Sequence, residues 1–420
     1  MKILCLSNGH GEDAIAIQIL QQLQHHPLKP QLFALPLVGS GVAYHRAKIP
    51  IVGPIKKMPS GGFIYMDGNQ LWQDLKGGLL GLTLSQYRSI RDWANNGGKI
   101  LAVGDIVPLL FACQSGADYA FVGTAKSEYY LRGDDRLWLS RTSLVERCFG
   151  SVYLPWERWL MARRRCRAVF VRDELTAQIL DRHGVKALFL GNPMMDGLVV
   201  ESEVRSLLND DNTLSVLLLP GSRMPEALAN WDKITEAIAG IIASFKDFKL
   251  VFLAAIAPGM YLSSLFQSLL LRGFTEISLN SVNSPIVDRD AVAFTYQNAT
   301  LILTQNSYRD CLRVATVAIA MAGTATEQFV GCGKPVIIIP GDGPQFTYAF
   351  AEAQTRLLGS SVILVPSPDR VAGAIDSLLQ NRARVAAIWA NGRKRMGSPG
   401  SAAQIANCLM AKFSCFEGDS

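Results

Sequence analysis

The chain has 420 residues, of which 49% are hydrophobic and 18% charged, and its formal net charge is +6. This composition is typical of a folded globular protein with more than one core, and it excludes disordered and fibrous proteins. The charge is too small for a protein that coats nucleic acid, and no apolar run reaches the roughly 18 residues of a membrane span, so we expect neither a nucleic-acid partner nor a transmembrane segment.

The first half of the chain alternates short buried strands with helical patterns. Lys2–Ser7 is apolar, and the glycine-rich turn 8–13 (NGHGED) leads into an apolar-periodic helix at about 14–23. Further strands are predicted at 31–35, 100–103, 119–122, 168–171 and 187–190. Such alternation indicates a parallel sheet with helices on both faces. The turn lacks the G-x-G-x-x-G fingerprint, so dinucleotide binding is weakly supported.

A second series of strands follows the polar connector 201–212. Its members are predicted at 215–219, 250–254, 291–294, 301–303, 316–321, 336–339 and 362–365. We therefore expect two Rossmann-like, doubly wound α/β domains facing a cleft, one over residues 1–197 and the other over 198–420. The final helix, at about 402–410, is a candidate to pack back on the first domain.

The stretch 316–341 (TVAIAMAGTATEQFVGCGKPVIIIPG) reads as strand, glycine turn, helix and second strand. The amino end of a helix after such a turn offers backbone N–H groups and a positive dipole end, which suit a phosphate. Thr324 and Glu327 also have the spacing of a capping box, in which Glu327 bonds back to the start of its own helix. The sequence leaves both interpretations open.

Polar residues stand at several predicted strand ends, where parallel sheets bind ligands. The second-domain group is hydroxylated and cationic, as a diphosphate site requires, and Glu327 could accept both hydroxyls of a ribose. The first-domain group is acidic with one imidazole, which suits proton removal from a hydroxyl: His10, Glu12, Asp13 and Asp105. Structural alternatives are a helix N-cap for Asp105, dipole complements for Glu12 and Asp13, and a solvated surface position for Arg223.

Three motifs carry a family resemblance: 219–223 (LPGSR) with Glu226, 323–327 (GTATE) and 191–196 (GNPMMD). They resemble the corresponding motifs of lipid-A-disaccharide synthase, a GT-B glycosyltransferase, and the chain is most similar to the related group of photosynthetic bacteria. Val103–Asp105 resembles the segment with the synthase's essential Asp. Gln345 resembles the Gln that follows the acidic motif of the peptidoglycan N-acetylglucosaminyltransferase.

The resemblance implies a UDP-sugar donor in the second domain, with its diphosphate near Ser222 and Arg223. The implied donor-binding residues are Gly221, Ser222, Arg223, Gly323, Thr324, Ala325, Thr326, Glu327, Gln345 and Asn192. The catalytic candidates are Asp105, His10 and Glu12, of which Asp105 or His10 would take the acceptor proton. We expect no cofactor and no metal, because the acidic pairs 134–135 and 210–211 look isolated and surface-like.

The predicted function is an inverting, metal-independent glycosyltransferase. It would move an N-acetylglucosamine-type sugar or glucose from UDP to a lipid or lipid-linked acceptor. The turn 8–13 differs from that of the synthase (Gly-Glu-Ala-Ser-Gly-Asp), so the acceptor is left open. Two alternatives remain: a UDP-sugar 2-epimerase of the same fold, and a non-catalytic, membrane-associated protein that binds a nucleotide sugar.

Two segments suit an anionic membrane surface. In 153–167 (YLPWERWLMARRRCR), Trp156, Trp159 and Leu160 have the i, i+3, i+4 spacing of one helix face, and an arginine cluster follows. The apolar, glycine-rich segment 77–84 (GGLLGLTL) is the second. The alternative for both is ordinary core packing. Since the eight cysteines include no Cys-x-x-Cys pair, we expect a cytoplasmic protein, peripherally bound to the inner face of a membrane.

Overall fold

The computed structural model describes residues 1–56, 79–198, 207, 212–282, 284 and 286–414. Most of the predicted connector 201–212, and Gly77 and Gly78 of the second candidate membrane segment, lie outside the described residues. The chain divides into two compact units. The first comprises Met1–Asp196 and Ser398–Ser420, and the second Gly197–Gly397. The sequence-based limits were 1–197 and 198–420. In the structure, the carboxyl-terminal segment from Ser398 belongs with the first unit instead.

The first unit is built on a six-stranded parallel sheet with the order β2-β1-β3-β4-β5-β6. Each predicted strand of the first series is present, and the last is shorter than the expected 187–190. The strands are β1 (Lys2–Ser7), β2 (Gln31–Pro36), β3 (Lys99–Gly104), β4 (Tyr119–Gly123), β5 (Cys166–Val171) and β6 (Ala187–Leu188).

Helices cover both faces of this sheet, because its central strands are apolar on both sides. One core packs β-strand side chains against α1, α2 and α15, and the other packs them against α3, α4, α6 and α7. The helices of the first unit are α1 (His10–His25), α2 (Val42–Arg46), α3 (Leu79–Asn95), α4 (Ile106–Ser115), α5 (Leu144–Phe149), α6 (Pro155–Met161), α7 (Glu174–Arg182) and α15 (Ser401–Ser414).

The carboxyl-terminal helix α15 packs against α1 and buries Ile405, Leu409 and Phe413 in the first core. Its amino end is capped from a distant part of the chain. The Asp196 carboxylate accepts hydrogen bonds from the backbone N–H groups of Gly400, Ser401 and Ala402 at 2.7, 3.0 and 2.7 Å. The first N–H groups of a helix have no partners within the helix, and these hydrogen bonds satisfy them. Asp196, the last residue of the motif 191–196, therefore holds the start of α15 in the first unit.

The second unit contains an eight-stranded sheet with the order β14-β13-β12-β7-β8-β11-β10-β9. It is parallel except for β10, which runs antiparallel to both β11 and β9. The sequence-based interpretation identified β10 and β11 but missed this reversal and missed β9. The strands are β7 (Thr213–Leu219), β8 (Lys249–Ala255), β9 (Thr275–Ile277), β10 (Val292–Tyr296), β11 (Ala299–Thr304), β12 (Val317–Ala320), β13 (Val336–Ile338) and β14 (Val362–Leu364).

The helices of the second unit lie between these strands, and α8 is the longest of them. It buries one continuous apolar stripe that includes Ile234, Ile238 and Ile241. The helices are α8 (Glu226–Ser244), α9 (Leu262–Leu271), α10 (Tyr308–Val314), α11 (Thr324–Gly331), α12 (Tyr348–Leu358), α13 (Val371–Leu379) and α14 (Arg382–Met396). Among the described residues, no helix is long and apolar enough to cross a membrane.

Candidate functional site

The acidic candidates of the first unit meet where β1 and β3 end. These strands are neighbours, with Ser7 opposite Val103, so the loops that follow them emerge side by side. Asn8 Nδ2 donates a hydrogen bond to Asp105 Oδ1 at 2.7 Å, and the backbone N–H of Val107 donates to the same oxygen at 2.9 Å. Asp105 is therefore the N-cap of α4, as the structural alternative expected, and it is also joined to the β1 loop.

Burial raises the pKa of Asp105 above its ordinary value. The hydrogen bonds from Val107 and Asn8 and the positive charge of Lys126 act in the opposite direction, and the negative charge of Glu157 raises the pKa again. A carboxyl group in this setting is a better proton acceptor at neutral pH than one in water, because its basicity is higher. Asp105 thus combines an orientation fixed by two hydrogen bonds with surroundings that raise its basicity.

Glu12 lies in the same cluster, next to Gly9 and Gly104. A Cβ on Gly9 would lie 2.5 Å from Glu12 Oε2, and a Cβ on Gly104 would lie 2.2 Å from Asn8 Oδ1 and 3.2 Å from Glu12 Cγ. Gly104 has a φ of 132°, so both space and backbone conformation require glycine there. Asn8, which the sequence analysis did not single out, is therefore hydrogen-bonded to Asp105 and, like Glu12, lies against Gly104.

The other two candidates of the β1 turn have different surroundings. His10 is the first residue of α1. Asp13 is 4% exposed and accepts a hydrogen bond from Ser7 Oγ at 2.5 Å, while Ser7 and Tyr44 are joined through their hydroxyls at 2.6 Å. This buried hydrogen-bond network stabilises the backbone where β1 leads into the turn 8–13, so Asp13 has a structural role there.

In the second unit, the two glycine loops with the family motifs also come together. Strands β7 and β12 are neighbours, and the backbone N–H of Met321 donates to the Leu219 carbonyl at 2.8 Å. Gly221 has a φ of 97°, and a Cβ on it would lie 3.1 Å from the Met321 carbonyl oxygen. The loops 220–223 and 321–323 therefore touch through their backbones, and only glycine allows that approach.

Arg223 is half-buried beside these loops. Burial lowers the pKa of its guanidinium from the ordinary value, while the negative charge of Glu226 acts against that change. An arginine remains charged under such conditions, so it supplies a partly desolvated cation at the sheet edge. Ser222, its neighbour in the loop, is exposed.

Helix α11 begins at Thr324, and its N-cap is Gly323, which has no side chain. The capping-box alternative, with Thr324 as the cap, is therefore wrong, because Thr324 is already inside the first turn. Thr326 is buried and its hydroxyl donates to the Ala322 carbonyl at 2.6 Å, so its side chain stabilises the preceding loop. Glu327 is partly buried and Ala325 precedes Thr326 in the same turn.

A third loop at this edge follows β13, the neighbour of β12. Glu226, at the start of α8, accepts hydrogen bonds from the backbone N–H groups of Gln345 at 3.2 Å and Phe346 at 2.7 Å. Lys233, two turns further along α8, donates to the Pro340 carbonyl at 3.0 Å. Helix α8 thus fixes the position of Gln345, and the residues 221–223, 323–327 and 345 lie on three loops at one edge of the second sheet.

Asn192 lies in the first unit, although the resemblance implied that it binds the donor with residues of the second. It is 4% exposed, and its Oδ1 accepts from the backbone N–H of Met194 at 3.0 Å. Together with Thr124 and Arg172 it lines a small cavity that Ile405 of α15 helps to close. Asn192 follows β6 in the chain, so it lies at the same edge of the first sheet as Asp105.

One acidic pair in the second unit was missed by the sequence analysis. Asp288 and Asp290 stand two residues apart in the loop that leads into β10. Asn306 Nδ2 bridges them, donating to Asp288 Oδ1 and Asp290 Oδ2 at 3.3 Å each, and the Thr304 hydroxyl donates to Asp288. These hydrogen bonds join the end of β11 to the loop just before β10.

Comparison with known proteins supports the fold. No family model and no curated protein sequence matches the chain. The solved structures that match nearly its whole length include the following three. CalG4, the calicheamicin glycosyltransferase, has a TM-score of 0.58 and 13% identity, covering 99% of this chain and 98% of its own. The Neisseria meningitidis UDP-GlcNAc 2-epimerase bound to UDP-GlcNAc has a TM-score of 0.55 and 15% identity, with 98% and 100% coverage. MurG from Acinetobacter baumannii has a TM-score of 0.53 and 12% identity, with 98% and 99% coverage.

The chain has the GT-B fold. Its two Rossmann-like α/β units correspond to the two domains of these UDP-sugar enzymes and glycosyltransferases. At these identities the likeness concerns the fold, and both epimerases and glycosyltransferases share it.

The first unit of this GT-B protein also carries an exposed apolar and basic surface on α5 and α6. Trp156 and Trp159 are 51% and 56% exposed, so the alternative that they pack into the core is wrong. Leu160, expected on the same face, is buried, and its carbonyl accepts a hydrogen bond from Tyr119. On α5, which the sequence analysis did not single out, Leu144 and Val145 are exposed.

An arginine cluster follows α6 in the chain, and one of its members contacts Trp159. The Arg163 guanidinium lies 4.4 Å from the centroid of the Trp159 ring, and Arg164 and Arg165 are exposed. Arg167, also counted in the predicted cluster, pairs instead with Asp118 at 3.0 Å. We call the side chains of Leu144, Val145, Trp156, Trp159 and Arg163–Arg165 the α5–α6 surface. In the described part of the second candidate segment, Leu80 and Leu84 are exposed on α3.

Proposed function

We propose that this protein is an inverting glycosyltransferase that transfers a sugar, of the N-acetylglucosamine type or glucose, from UDP to a lipid or lipid-linked hydroxyl. The observation that carries the proposal is the convergence of three loops at one edge of the second sheet. This edge combines the half-buried cation of Arg223, the glycine backbone of 221 and 323, and the amino end of α11. Such a combination of charge and backbone donors suits a diphosphate.

The donor assignments follow from this edge. Ser222, Arg223 and the N–H groups at the start of α11 would bind the diphosphate, and Glu327 would accept the ribose hydroxyls. Gln345, held in place by Glu226, would contact the sugar. The fold neighbour from Neisseria binds UDP-GlcNAc, which supports the choice of nucleotide. Stabilisation of the departing diphosphate by Arg223 and α11 is a role that needs no metal ion.

The acceptor would be activated in the first unit. Asp105, whose pKa is raised by burial and which Asn8 orients, is the preferred base for removing the acceptor proton. His10 and Glu12 stand in the same turn and are the other candidates. Transfer by direct displacement inverts the configuration of the sugar, because the acceptor oxygen attacks from the face opposite to the departing UDP.

A lipid acceptor is supported by the α5–α6 surface. Half-exposed tryptophans beside arginines are the residues that interfacial segments use on anionic bilayers, where the rings insert near the headgroups and the guanidinium groups bind lipid phosphates. A lipid substrate would reach the enzyme from that surface. We therefore propose that the protein acts at the inner face of a membrane as a peripheral protein.

The second candidate function is that of a UDP-sugar 2-epimerase, which the Neisseria fold neighbour favours. An epimerase needs no lipid, so it offers no use for the α5–α6 surface. The two functions also differ in products. A transferase releases UDP in proportion to lipid acceptor, whereas an epimerase converts the UDP-sugar into its 2-epimer with no acceptor present.

The first experiment measures thermal unfolding of the protein with UDP, UDP-GlcNAc, UDP-glucose, ADP and GDP. Ligand at 100 times its dissociation constant stabilises the protein by about 2.7 kcal/mol, and we expect this only for the uridine compounds. Arg223→Gln should abolish the shift, whereas Arg382→Gln, which alters an exposed arginine of the same unit, should retain it. No shift with any uridine nucleotide would refute the donor site, and binding without turnover would favour the non-catalytic alternative.

A further inference from the structure

Asn8 holds the Asp105 carboxylate from the loop that follows β1. Its Nδ2 donates to Asp105 Oδ1 at 2.7 Å, and the backbone N–H of Val107 donates to the same oxygen at 2.9 Å. Among the described residues, no hydrogen bond reaches Asp105 Oδ2. Since Asp105 is partly exposed just beyond the end of β3, its Oδ2 is the oxygen left for a proton from a bound molecule.

The hydrogen bond from Asn8 is not needed to start α4. An Asp at an N-cap position satisfies a backbone N–H of the first turn by itself, and Val107 supplies that N–H here. The bond from Asn8 instead joins the start of α4 to a residue 97 positions earlier in the chain. It reaches the carboxylate from a second element, so it limits the rotation of the Asp105 side chain.

This placement of the Asn8 amide is unfavourable in two respects. Its Oδ1 is buried and has no hydrogen-bond partner among the described residues, which destabilises a buried acceptor. The chain also needs glycine at position 104, where φ is 132° and a Cβ would lie 2.2 Å from that oxygen. A helix cap alone requires neither feature, so the arrangement indicates a role for Asn8 beyond the stability of α4.

The backbone that carries Asn8 is held by a buried network. Ser7, the preceding residue, is hydrogen-bonded through its hydroxyl to Asp13 at 2.5 Å and to Tyr44 at 2.6 Å. All three of these residues are buried. A firmly held segment therefore presents the Asn8 amide to Asp105, as the positioning of a reactive carboxylate requires.

We propose that Asn8 is a positioning residue of the transfer reaction: with the N–H of Val107 it occupies Asp105 Oδ1, and it thereby directs the proton of the acceptor hydroxyl to Asp105 Oδ2. This inference rests on the proposed function of Asp105 as the base. In the step itself, the acceptor O–H bond breaks and its proton goes to Oδ2. The acceptor oxygen bonds to the anomeric carbon of the sugar, and the bond from that carbon to UDP breaks, so the electron pair leaves with UDP.

Other titratable groups lie on the elements beside Asp105, which are α1, the loop after β4, and α6. They are His10, Glu12, Lys126 and Glu157. None of them changes in variants at position 8. A difference between those variants therefore reports the hydrogen bond from Asn8.

The first test is a titration of the Asp105 carboxyl by carbon-13 NMR of aspartate-labelled protein, assigned with Asp105→Asn. Asn8→Leu nearly keeps the shape of the side chain but donates no hydrogen bond. Because a hydrogen bond to the charged form lowers the pKa of a carboxyl, its loss should raise the Asp105 pKa by about 0.5 to 1 unit. Asn95→Leu, at an exposed asparagine of α3, is the control and should leave the titration unmoved.

An unchanged Asp105 titration in Asn8→Leu would overturn the proposal, whether or not the protein transfers sugar. If Asn8→Leu does not fold, Asn8→Ala removes the same donor without a branched side chain next to Gly104, and the same shift is expected. A shifted titration in a wild-type background that transfers no sugar would refute the proposed function, while the hydrogen bond between Asn8 and Asp105 would stand.

The second test is the pH dependence of UDP release from UDP-GlcNAc or UDP-glucose in micelles of a bacterial total lipid extract. Asn8→Leu should lower kcat at least about tenfold and move the acidic limb of kcat/KM up together with the carboxyl titration. The donor KM should stay within about twofold, because the proposed donor site lies in the second unit. Loss of stability with an unmoved limb is the result that a purely structural role predicts, and it would overturn the proposal.

Asn8→Asp separates hydrogen-bond donation from packing. It keeps the shape of asparagine and places two carboxyl groups in contact, which then share one proton. While that proton is present, one carboxyl donates to the other as the amide does, so kcat should be partly restored relative to Asn8→Leu. At higher pH the pair loses this proton, and a new basic limb should appear. A pH profile parallel to that of the wild-type protein would contradict the need for a donor at position 8.

Discussion

Glu226 holds the loop that contains Gln345, so its replacement should weaken both the second unit and donor binding. In Glu226→Ala, the backbone N–H groups of Gln345 and Phe346 lose their shared carboxylate acceptor. A hydrogen bond to a charged group contributes about 1.5 to 3 kcal/mol, and the site is 9% exposed, so water replaces the carboxylate poorly. We expect a loss of about 3 kcal/mol in the free energy of unfolding.

For a unit of this size, about 200 residues, that loss corresponds to a decrease of about 6 to 12 °C in Tm. Glu226→Gln keeps one acceptor oxygen and should cost about 1 kcal/mol. Gly343→Ala tests the same contact from the loop side, because its Cβ would lie 2.4 Å from Glu226 Cγ. Glu236→Ala, at an exposed position of the same helix, is the control and should change stability by less than about 0.5 kcal/mol.

The assay combines calorimetry with steady-state kinetics for the UDP-sugar. Displacement of Gln345 should raise the donor KM by about tenfold, equivalent to about 1.4 kcal/mol, in Glu226→Ala and much less in Glu226→Gln. If the alanine and glutamine variants have the same Tm and the same donor KM, the carboxylate does not hold the loop and the reasoning is refuted.

Three other changes have defined outcomes. Asp196→Ala removes the acceptor for three N–H groups of α15 and should lower the free energy of unfolding by about 2 to 3 kcal/mol by chemical denaturation, whereas Asp181→Ala, at an exposed position, should have almost no effect. Asp105→Asn should abolish transfer, yet it should stabilise the protein at pH values above the ordinary aspartate pKa. The reason is that folding raises the pKa of Asp105, so ionisation of the carboxyl lowers the stability of the wild-type protein as the pH rises through the folded pKa. At low pH, where the carboxyl is protonated in both the folded and the unfolded state, the gain in stability should vanish. An equal gain at all pH values would contradict this explanation. Replacing Trp156 and Trp159 together by serine should reduce co-sedimentation with anionic vesicles at least about tenfold, and Leu271→Ser, at an exposed leucine of the second unit, should not.

Strand positions were predictable from local patterns, because a strand buried on both faces is a short apolar run bounded by turn residues. The antiparallel hairpin of β10 and β11 also left a signal in the two residues between them, Gln297 and Asn298, since a two-residue connection joins antiparallel strands. The surrounding alternation of strands and helices favours parallel pairing throughout and outweighs that signal. Strand β9 contains a central Glu276 and has little apolar character, so its pattern was too weak to predict.

The candidate site was predictable in part. Residues at strand ends, such as Asp105 and Arg223, could be named because parallel strands place their carboxyl ends at one edge. Glu157 lies inside the segment 153–167, in which the tryptophans and arginines form the more prominent pattern. Its inward direction depends on how α6 packs against α4, and helical spacing alone does not specify which side faces inward when both carry apolar residues.

By itself, the sequence determined most of the strands, the two-part α/β organisation and the glycine loops, since all of these follow from local periodicity and backbone preference. The tertiary structure alone decided which distant residues meet. Asn8 reaches Asp105 across 97 positions, Glu226 reaches Phe346 across 120, and Asp196 caps a helix that begins some 200 residues later. These contacts depend on strand order and on the path of the last helix, which are set by packing of the whole core.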